Sequence, residues 1–211
     1  YPRDLPHDLA LLEKAGADLV FTPGDVTMYP DGFQTYVIVE EVTRMLEGAS
    51  RPTHFRGVTT IVAKLFNILQ PTRAYFGQKD YQQTAVLRQM VRDLNFDLDL
   101  IVCPIVREPD GLAMSSRNKY LNPAQRTAAT VLSRALAAGV AALDEGERDA
   151  QEIRARMAAI IAAEMLARLD YISVAHPQTL VELDKVDEDG AVLSTAVFFD
   201  RTRLIDNMLW K

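Results

Sequence analysis

The sequence contains a single cysteine, Cys103, among its 211 residues. One cysteine cannot form an internal disulfide, and it cannot build a cysteine-rich metal site. Cys103 lies in an apolar run, which favours a small buried hydrophobic residue over a reactive thiol. Disulfide-stabilised secreted folds are therefore excluded, and a reduced, cytoplasmic protein is the default expectation.

Basic charge and long apolar runs are also scarce. The 23 Lys and Arg residues are outnumbered by 29 Asp and Glu residues, which gives a net charge of −6 and a sequence pI of about 5.1. Binding to nucleic acid requires an excess of basic residues, so we expect no nucleic-acid partner. No apolar stretch approaches the ~18–20 residues that cross a bilayer, so we expect no membrane partner.

Helical and strand patterns alternate over the first half of the chain. Val58, Ile61, Val62, Leu65, Phe66 and Leu69 follow helical spacing and form one apolar stripe. Such alternation indicates a parallel sheet with crossover helices. The predicted helices are residues 4–16, 58–69 and 80–94, with a helical turn at 41–47 ended by Gly48, and the predicted strands are residues 18–21, 35–39, 73–76 and 98–103.

The second half changes character after a loop-rich stretch. Two alanine-rich helices are predicted at residues 123–143 and 150–169, and three β-like runs follow at residues 170–175, 191–199 and 203–210. Helices followed by strands indicate a small α+β domain. We therefore expect an α/β domain over residues 1–105 and an α+β domain over residues 106–211.

The first candidate site is the stretch Tyr-Phe-Gly-Gln-Lys-Asp-Tyr-Gln-Gln at residues 75–83, where a strand leads into a helix. Ligands of open α/β sheets bind at this end of the strands. Gly77 allows the backbone to approach a ligand closely, and Lys79 lies at a helix start that favours anions. Asp80 fits either a ligand contact or a simple helix cap. Two adjacent glutamines point to different sides of the helix, which allows one of them to face solvent.

The second candidate site is the stretch Asp-Gly-Leu-Ala-Met-Ser-Ser-Arg-Asn at residues 110–118. The hydroxyl groups of Ser115 and Ser116 and the guanidinium group of Arg117 are suitable donors for polyphosphate oxygens. By itself, the Ser-Ser-Arg sequence also fits a solvated loop.

A third stretch, Arg-Pro-Thr-His-Phe-Arg-Gly at residues 51–57, precedes the striped helix. His54 could donate a proton or cap the helix, and a structural role is favoured. His7 and His176 have no partners at metal-ligand spacing.

Together, these stretches make the chain resemble the pantoate–β-alanine ligase family over essentially its whole length. The resemblance rests on Gly-Gln-Lys-Asp-x-x-Gln from residue 77, Pro-Ile-Val-Arg-Glu from residue 104 and Met-Ser-Ser-Arg-Asn from residue 114, with residues 51–57 and Tyr1-Pro2-Arg3 also matching. Residues 114–117 are similar to the KMSKS loop of class I synthetase-like nucleotidyl transferases. The implied fold is α/β: a Rossmann-like parallel sheet followed by a small α+β lid domain.

The resemblance also implies a role for each matching residue. Lys79, Ser115, Ser116 and Arg117 would be catalytic. The implied ATP site comprises Gly77, Gln78, Lys79 on a phosphate, Asp80 on the ribose, Val106 on the adenine through its backbone, and Met114, Ser115, Ser116 and Arg117 over the phosphates. Gln83 would bind pantoate, and Asp8 lies where family members have an acidic residue near magnesium.

The implied reaction condenses pantoate with β-alanine at the expense of Mg-ATP, through a pantoyl adenylate, in a cytoplasmic homodimer. The family's Pro-Thr-Met-Gly and His-x-Gly-His phrases are absent from this sequence, and so is its Val-Asn-Pro-x-Gln-Phe strand end. We therefore expect a sheet without its N-terminal strands and a chain that is inactive by itself. Two alternatives stay open: a non-catalytic fragment that is stable only as an assembly, and another nucleotidyl transferase of the superfamily, such as an aminoacyl-tRNA synthetase fragment, which the acidic pI disfavours.

Overall fold

The computed structural model describes residues 4–211, so the matching residues Tyr1, Pro2 and Arg3 lie outside the described part. The chain separates into two compact units, one ending at Thr35 and the other comprising Tyr36–Lys211. The division at residues 105/106 inferred from the sequence remains a prediction.

The first unit contains the predicted N-terminal helix. Helix α1 (Leu5–Lys14) begins after Asp4, whose Oδ1 accepts a hydrogen bond from the backbone N–H of His7 at 3.2 Å. A short helix, α2 (Asp25–Met28), follows. The strand predicted at residues 18–21 is wrong: Leu19 there is 82% exposed, and no described segment pairs with it. A strand needs a hydrogen-bonded neighbour, which an apolar run alone does not supply.

The strand predicted at residues 35–39 is also wrong. Side chains make the hydrogen bonds to its backbone that a neighbouring strand would otherwise make. Thr60 Oγ1 accepts from the N–H of Val37 at 3.0 Å, and Thr59 Oγ1 donates to the Val37 carbonyl at 2.6 Å. Next come a 3₁₀ turn (Glu41–Thr43) and helix α3 (Glu47–Ser50). Gly48 lies inside α3 and does not end the helical turn as predicted.

A βαβ unit follows and confirms the predicted parallel pairing. Helix α4 (His54–Leu69) precedes strand β1 (Arg73–Gly77), helix α5 (Tyr81–Asp93) and strand β2 (Asp99–Cys103). The two strands are parallel, and their register runs from the pair Arg73↔Asp99 to the pair Gly77↔Cys103. Phe66, Leu87 and Met90 are buried between the helices and one face of this sheet. Leu94, predicted to point inward, is exposed because it lies just beyond the end of α5.

The remaining elements form the predicted α+β arrangement. The helices are α6 (Pro123–Ala128), α7 (Val131–Asp144) and α8 (Ala150–Ala162), and the strands are β3 (Arg168–Ala175), β4 (Ala191–Phe199) and β5 (Thr202–Trp210). The three strands form an antiparallel sheet in the order β3-β4-β5. Helix α8 ends earlier than the predicted residue 169, because residues 168 and 169 already belong to β3.

Both faces of the antiparallel sheet are covered. Leu193 and Phe199 pack with Leu136 and Met157 of the helical layer formed by α7 and α8. On the other face, Val192 belongs to a cluster with residues of α4 and α5. This packing brings β5 against the 3₁₀ turn that follows β1, at the carboxyl end of the parallel sheet.

Helices α6 and α7 together qualify as a membrane span by length and composition. Pro123–Asp144 covers 22 residues and contains an 18-residue window with a mean hydropathy of 1.2. Half of that window is buried inside the structure, including the side chains of Leu132 and Leu143, which pack against the rest of the unit. In this chain, the segment is the core of the α+β layer.

Candidate nucleotide-binding site

The first part of the site is residues 77–80, which we call the strand-to-helix segment. Gly77 ends β1, a 3₁₀ turn (Gln78–Asp80) follows, and α5 begins at Tyr81. The helix-cap reading of Asp80 is wrong, because its side chain makes no capping hydrogen bond. Asp80 instead pairs with the ammonium of Lys79, whose Nζ lies 3.3 Å from Asp80 Oδ1. The free N–H groups at the start of α5 and the Lys79 ammonium both favour an anionic ligand here.

The second part of the site is a small hairpin with the loop that follows it. Arg107 and Ala113 form an antiparallel bridge, and the N–H of Met114 donates to the Val106 carbonyl at 2.9 Å. This pairing places Val106 beside residues 114–117, which we call the Ser-Ser-Arg loop. Both Val106 and Met114 are exposed, so both are open to a ligand.

The Ser-Ser-Arg loop is anchored, in contrast to the solvated-loop reading. Ser115 Oγ accepts from the N–H of Arg117 at 3.2 Å and caps a 3₁₀ turn (Ser116–Tyr120). Arg117 Nη1 donates to the carbonyl of Arg203 at 3.0 Å. Ser116 is exposed and makes no side-chain hydrogen bond with the described residues. A defined loop therefore presents one unpaired hydroxyl and an accessible guanidinium.

Strand β5 contacts both parts of the site through two buried neighbours. The Asn207 amide donates to the carbonyls of Gln78 and Lys79 at 3.0 and 2.9 Å. The Asp206 carboxylate accepts two hydrogen bonds from Arg107, at 2.6 and 3.0 Å. Burial raises the pKa of the Asp206 carboxyl, and the hydrogen bonds from Arg107 act in the opposite direction.

A partly buried ion-pair network lies next to the Ser-Ser-Arg loop. The guanidinium of Arg203 donates to both carboxylate oxygens of Glu47, at 2.6 and 2.8 Å, and also to Asp170. The Tyr171 hydroxyl donates to Glu47 Oε1 at 3.1 Å. Burial and the Glu47 charge both raise the pKa of Tyr171, so the phenol stays neutral. This network holds the side chain of Arg203, whose backbone carbonyl accepts the hydrogen bond from Arg117.

His54 lies at the first position of α4, and its side chain makes no hydrogen bond with the described residues. Its helix-cap reading is therefore wrong. Burial lowers its pKa, as does the positive charge of Arg51, and more weakly that of Arg117, while Glu47 and Asp80 raise it. Charges from both parts of the site therefore act on His54. Because its pKa is lowered, its imidazole is largely neutral.

The two adjacent glutamines have different environments. Gln82 is buried: its Oε1 accepts from the N–H of Glu47, and its Nε2 donates to the carbonyls of Val42 and Met45. Gln83 is half-buried and makes no side-chain hydrogen bond with the described residues. Gln82 is therefore structural, whereas Gln83 keeps its donors and acceptor for a ligand.

Asp8 lies exposed in the first turn of α1, within the other compact unit. Among residues 4–211, no group of three or more His, Cys, Asp and Glu side chains could hold a metal ion. Magnesium that is bound with a nucleotide is usually held by phosphates, waters and one or two carboxylates, so it would not require such a group.

Sequence reasoning missed Arg107, Asp206 and Asn207 as parts of the site. The available signal was the pair Asp-Asn inside the otherwise apolar end of a predicted strand, because buried polar side chains need specific partners. No signal in the sequence identifies their partners. Gln78 lies 129 positions from Asn207, and Arg107 lies 99 positions from Asp206.

The fold, with anion-favouring donors at the carboxyl end of a parallel sheet, is of the kind found in α/β enzymes that bind nucleotides. Residues 1–209 match the family model described as pantoate-beta-alanine ligase. The pantothenate synthetase of Chloroflexus aurantiacus (strain J-10-fl) is 62% identical over 209 residues, which cover 99% of this chain and 74% of that protein. The chain belongs to the pantoate–β-alanine ligase family.

Solved structures agree with this assignment. The pantothenate synthetase of Thermus thermophilus has a TM-score of 0.94 and 49% sequence identity, over 99% of this chain and 75% of that one. The pantoate-beta-alanine ligase of Francisella tularensis, complexed with beta-gamma ATP and beta-alanine, has a TM-score of 0.73 and 31% identity, over 99% and 71%. The Rossmann-like α/β fold is confirmed, and the alternative of an aminoacyl-tRNA synthetase fragment is excluded.

Proposed function

We propose that this protein condenses pantoate with β-alanine, using ATP and releasing AMP and pyrophosphate. The family assignment supports an ATP-dependent ligase of pantothenate biosynthesis. The observation that carries the proposal is the joint arrangement of the strand-to-helix segment and the Ser-Ser-Arg loop on β5. Both parts present hydrogen-bond donors and positive charge, which a triphosphate requires.

In the first step, the pantoate carboxylate attacks the α-phosphorus of Mg-ATP and expels pyrophosphate. Negative charge gathers on phosphate oxygens, and preorganised donors stabilise it. We assign this role to Lys79, Ser115, Ser116 and Arg117. Gly77 and Gln78 would approach the nucleotide through their backbone, Asp80 would bind the ribose, and the backbone of Val106, with Met114 nearby, would contact the adenine.

In the second step, the amine of β-alanine attacks the acyl carbon of pantoyl adenylate and displaces AMP. Water competes with the amine, so the adenylate must be shielded. Gln83, with its free amide, would hold pantoate, and the Ser-Ser-Arg loop would cover the phosphates. Magnesium would enter with ATP, with Asp8 as its proposed acidic neighbour. A cytoplasmic homodimer, with residues 106–211 as a lid domain, completes the proposal.

The test is pantoate-dependent exchange of pyrophosphate into ATP, together with AMP release that requires β-alanine. We expect both activities in the full gene product, and Lys79→Ala should reduce exchange at least ~10²-fold because it removes a cation from the reacting phosphates. Lys185→Ala is the control, since Lys185 is an exposed lysine away from the site. Exchange without pantoate dependence, or unaltered exchange in Lys79→Ala, contradicts the proposal.

A further inference from the structure

The most buried polar groups of the second unit include two consecutive residues of β5 that bind no substrate in the proposed reaction. Asp206 is 3% exposed and Asn207 is 2% exposed. An acid and an amide are unfavourable in the interior unless their hydrogen bonds are made. Their partners therefore indicate what these two residues do.

Asn207 is fully used in holding the strand-to-helix segment. Its Nδ2 donates to the carbonyls of Gln78 and Lys79, at 3.0 and 2.9 Å, and its Oδ1 accepts from Gln78 Nε2 at 3.2 Å. One side chain thus fixes two successive peptide groups in the turn that carries Lys79. No side chain caps that turn, and Asp80 makes no capping hydrogen bond at the start of α5.

Asp206 holds the other part of the site through Arg107. Besides its two bonds to Asp206, Arg107 Nη1 donates to the Gly111 carbonyl at 3.0 Å, which ties the two arms of the hairpin. Val106 precedes this hairpin and the Ser-Ser-Arg loop follows it. Asp206 Oδ1 also accepts from the N–H of Asn207 at 2.8 Å, which joins the two anchors.

Consecutive residues of a strand point to opposite faces of the sheet. Adjacent residues of β5 therefore contact the strand-to-helix segment on one face and the hairpin on the other. Cross-strand pairing places Asp206 opposite Thr195 and Asn207 opposite Ser194, in the middle of the ladder between β4 and the edge strand β5. We propose that Asp206 and Asn207 are positioning residues that set the separation of the strand-to-helix segment and the Ser-Ser-Arg loop, and thereby the affinity for ATP. This inference rests on the proposed function.

The sharpest test is Asn207→Asp in the full gene product. The two side chains have nearly the same shape, but an ionised carboxylate has no donor for the carbonyls of Gln78 and Lys79 and repels both. A protonated carboxyl regains one donor. We expect the Kd for ATP to rise at least about tenfold at about pH 8 and to recover most of that loss at about pH 6, because burial among acceptors raises the pKa of the new carboxyl.

Asn67→Asp provides the matched control, since Asn67 is exposed on α4. Asn67→Asp introduces the same charge. Its Kd for ATP at the two pH values corrects for other groups that titrate between them. A merely structural role for Asn207 predicts a lower melting temperature and a smaller active fraction, with the Kd for ATP unchanged at both pH values. Measurement of the KM for β-alanine, expected to change less than about twofold, separates positioning of ATP from general damage.

A second variant decides the matter if Asn207→Asp does not fold. Asp206→Asn keeps an acceptor for Arg107 but loses the charge-assisted pair, and we expect the Kd for ATP to rise about threefold or more. Wild-type ATP affinity in the folded Asp206→Asn variant, or in Asn207→Asp at both pH values, overturns the positioning role and leaves the proposed function intact. A wild-type protein that neither binds ATP nor catalyses pantoate-dependent exchange overturns both.

Discussion

The side chain of Arg117 can exchange its present hydrogen bond for a ligand contact at a small cost in free energy. Its Nη1 donates to one backbone carbonyl, that of Arg203, and the side chain stays exposed. A neutral acceptor at the surface competes weakly with a polyphosphate, which offers charge-assisted bonds to the planar guanidinium. We therefore interpret the observed contact as the resting position of Arg117.

Arg117→Lys should weaken ATP binding and slow adenylate formation at least about tenfold, because lysine cannot donate a planar fork to two phosphate oxygens. Single-turnover adenylate formation over an ATP titration measures both effects. Arg201→Lys, at an exposed position in the β4–β5 turn, is the control. An unchanged rate and affinity in Arg117→Lys would favour a solvated loop arginine without a role in the reaction.

His54 should give the folded protein a pH-dependent stability. Burial lowers its pKa below the ordinary value of 6.5. As the pH falls through 6.5, the unfolded chain takes up a proton that the folded protein resists, so the free energy of unfolding decreases. Urea denaturation at about pH 7.5 and about pH 5.5 should show a smaller decrease for His54→Gln than for the wild type. Equal decreases would contradict this assignment.

At the scale of the elements, predictions succeeded where the pattern and the partner lie in the same part of the chain. Strands β3, β4 and β5 follow the predicted boundaries within two residues, because each β-like run pairs with its neighbour in sequence. Residues 18–21 and 35–39 have equally good strand composition but no strand partner among the described residues. Composition predicts a tendency to extend, whereas pairing depends on what lies alongside.

The candidate site divides in the same way. Lys79, Asp80 and Arg117 could be named as candidates because each lies in a short phrase that resembles the family, and their role in the site stays a prediction. Asp206 and Asn207 could not be named, since their hydrogen-bond partners lie about a hundred or more positions away and only the folded chain brings them near. Long-range hydrogen-bond partners leave no local periodicity in a sequence.

Alanine substitution at three glycines should change the stability of the protein according to the space available for an added Cβ. An added Cβ at Gly48 would lie 1.8 Å from the backbone oxygen of Thr43, whereas at Gly139 it would meet side-chain atoms of Leu193 and Met157 at 2.5 and 3.0 Å. At Gly57, within α4, it would meet nothing within 4 Å. Backbone cannot yield as the ends of side chains can, so the destabilisation should be largest at Gly48.

We expect Gly48→Ala to lower the free energy of unfolding by about 3 kcal/mol or more and Gly139→Ala by about 1–3 kcal/mol. Gly57→Ala should raise it by about 0.5–1 kcal/mol, because alanine favours the helix. Chemical denaturation of the three variants measures the series. A Gly48→Ala protein as stable as the Gly57→Ala protein would show that the α3 backbone moves freely.

At the scale of the whole molecule, the parallel sheet exposes an apolar face. Tyr75 and Ile101 are paired neighbours on β1 and β2, and Tyr75 is 62% exposed. The opposite face of the same sheet packs against the helices through Ala74 and Phe76. Parallel sheets are normally covered on both faces, and exposed apolar patches promote association.

The 211-residue chain should therefore self-associate when it is made alone, and Tyr75→Thr combined with Ile101→Thr should reduce the association while the strands are kept. Light scattering over about a tenfold range of protein concentration would show the average mass of the wild-type chain rising and that of the variant rising less. Met165→Thr is the control, since Met165 is 97% exposed between α8 and β3, away from this sheet. If Met165→Thr reduces the association as much as the double variant does, the contact is nonspecific and the apolar face of β1 and β2 has no special role. If the wild-type chain is monomeric at every concentration, the exposed face of β1 and β2 does not cause association and the prediction is wrong.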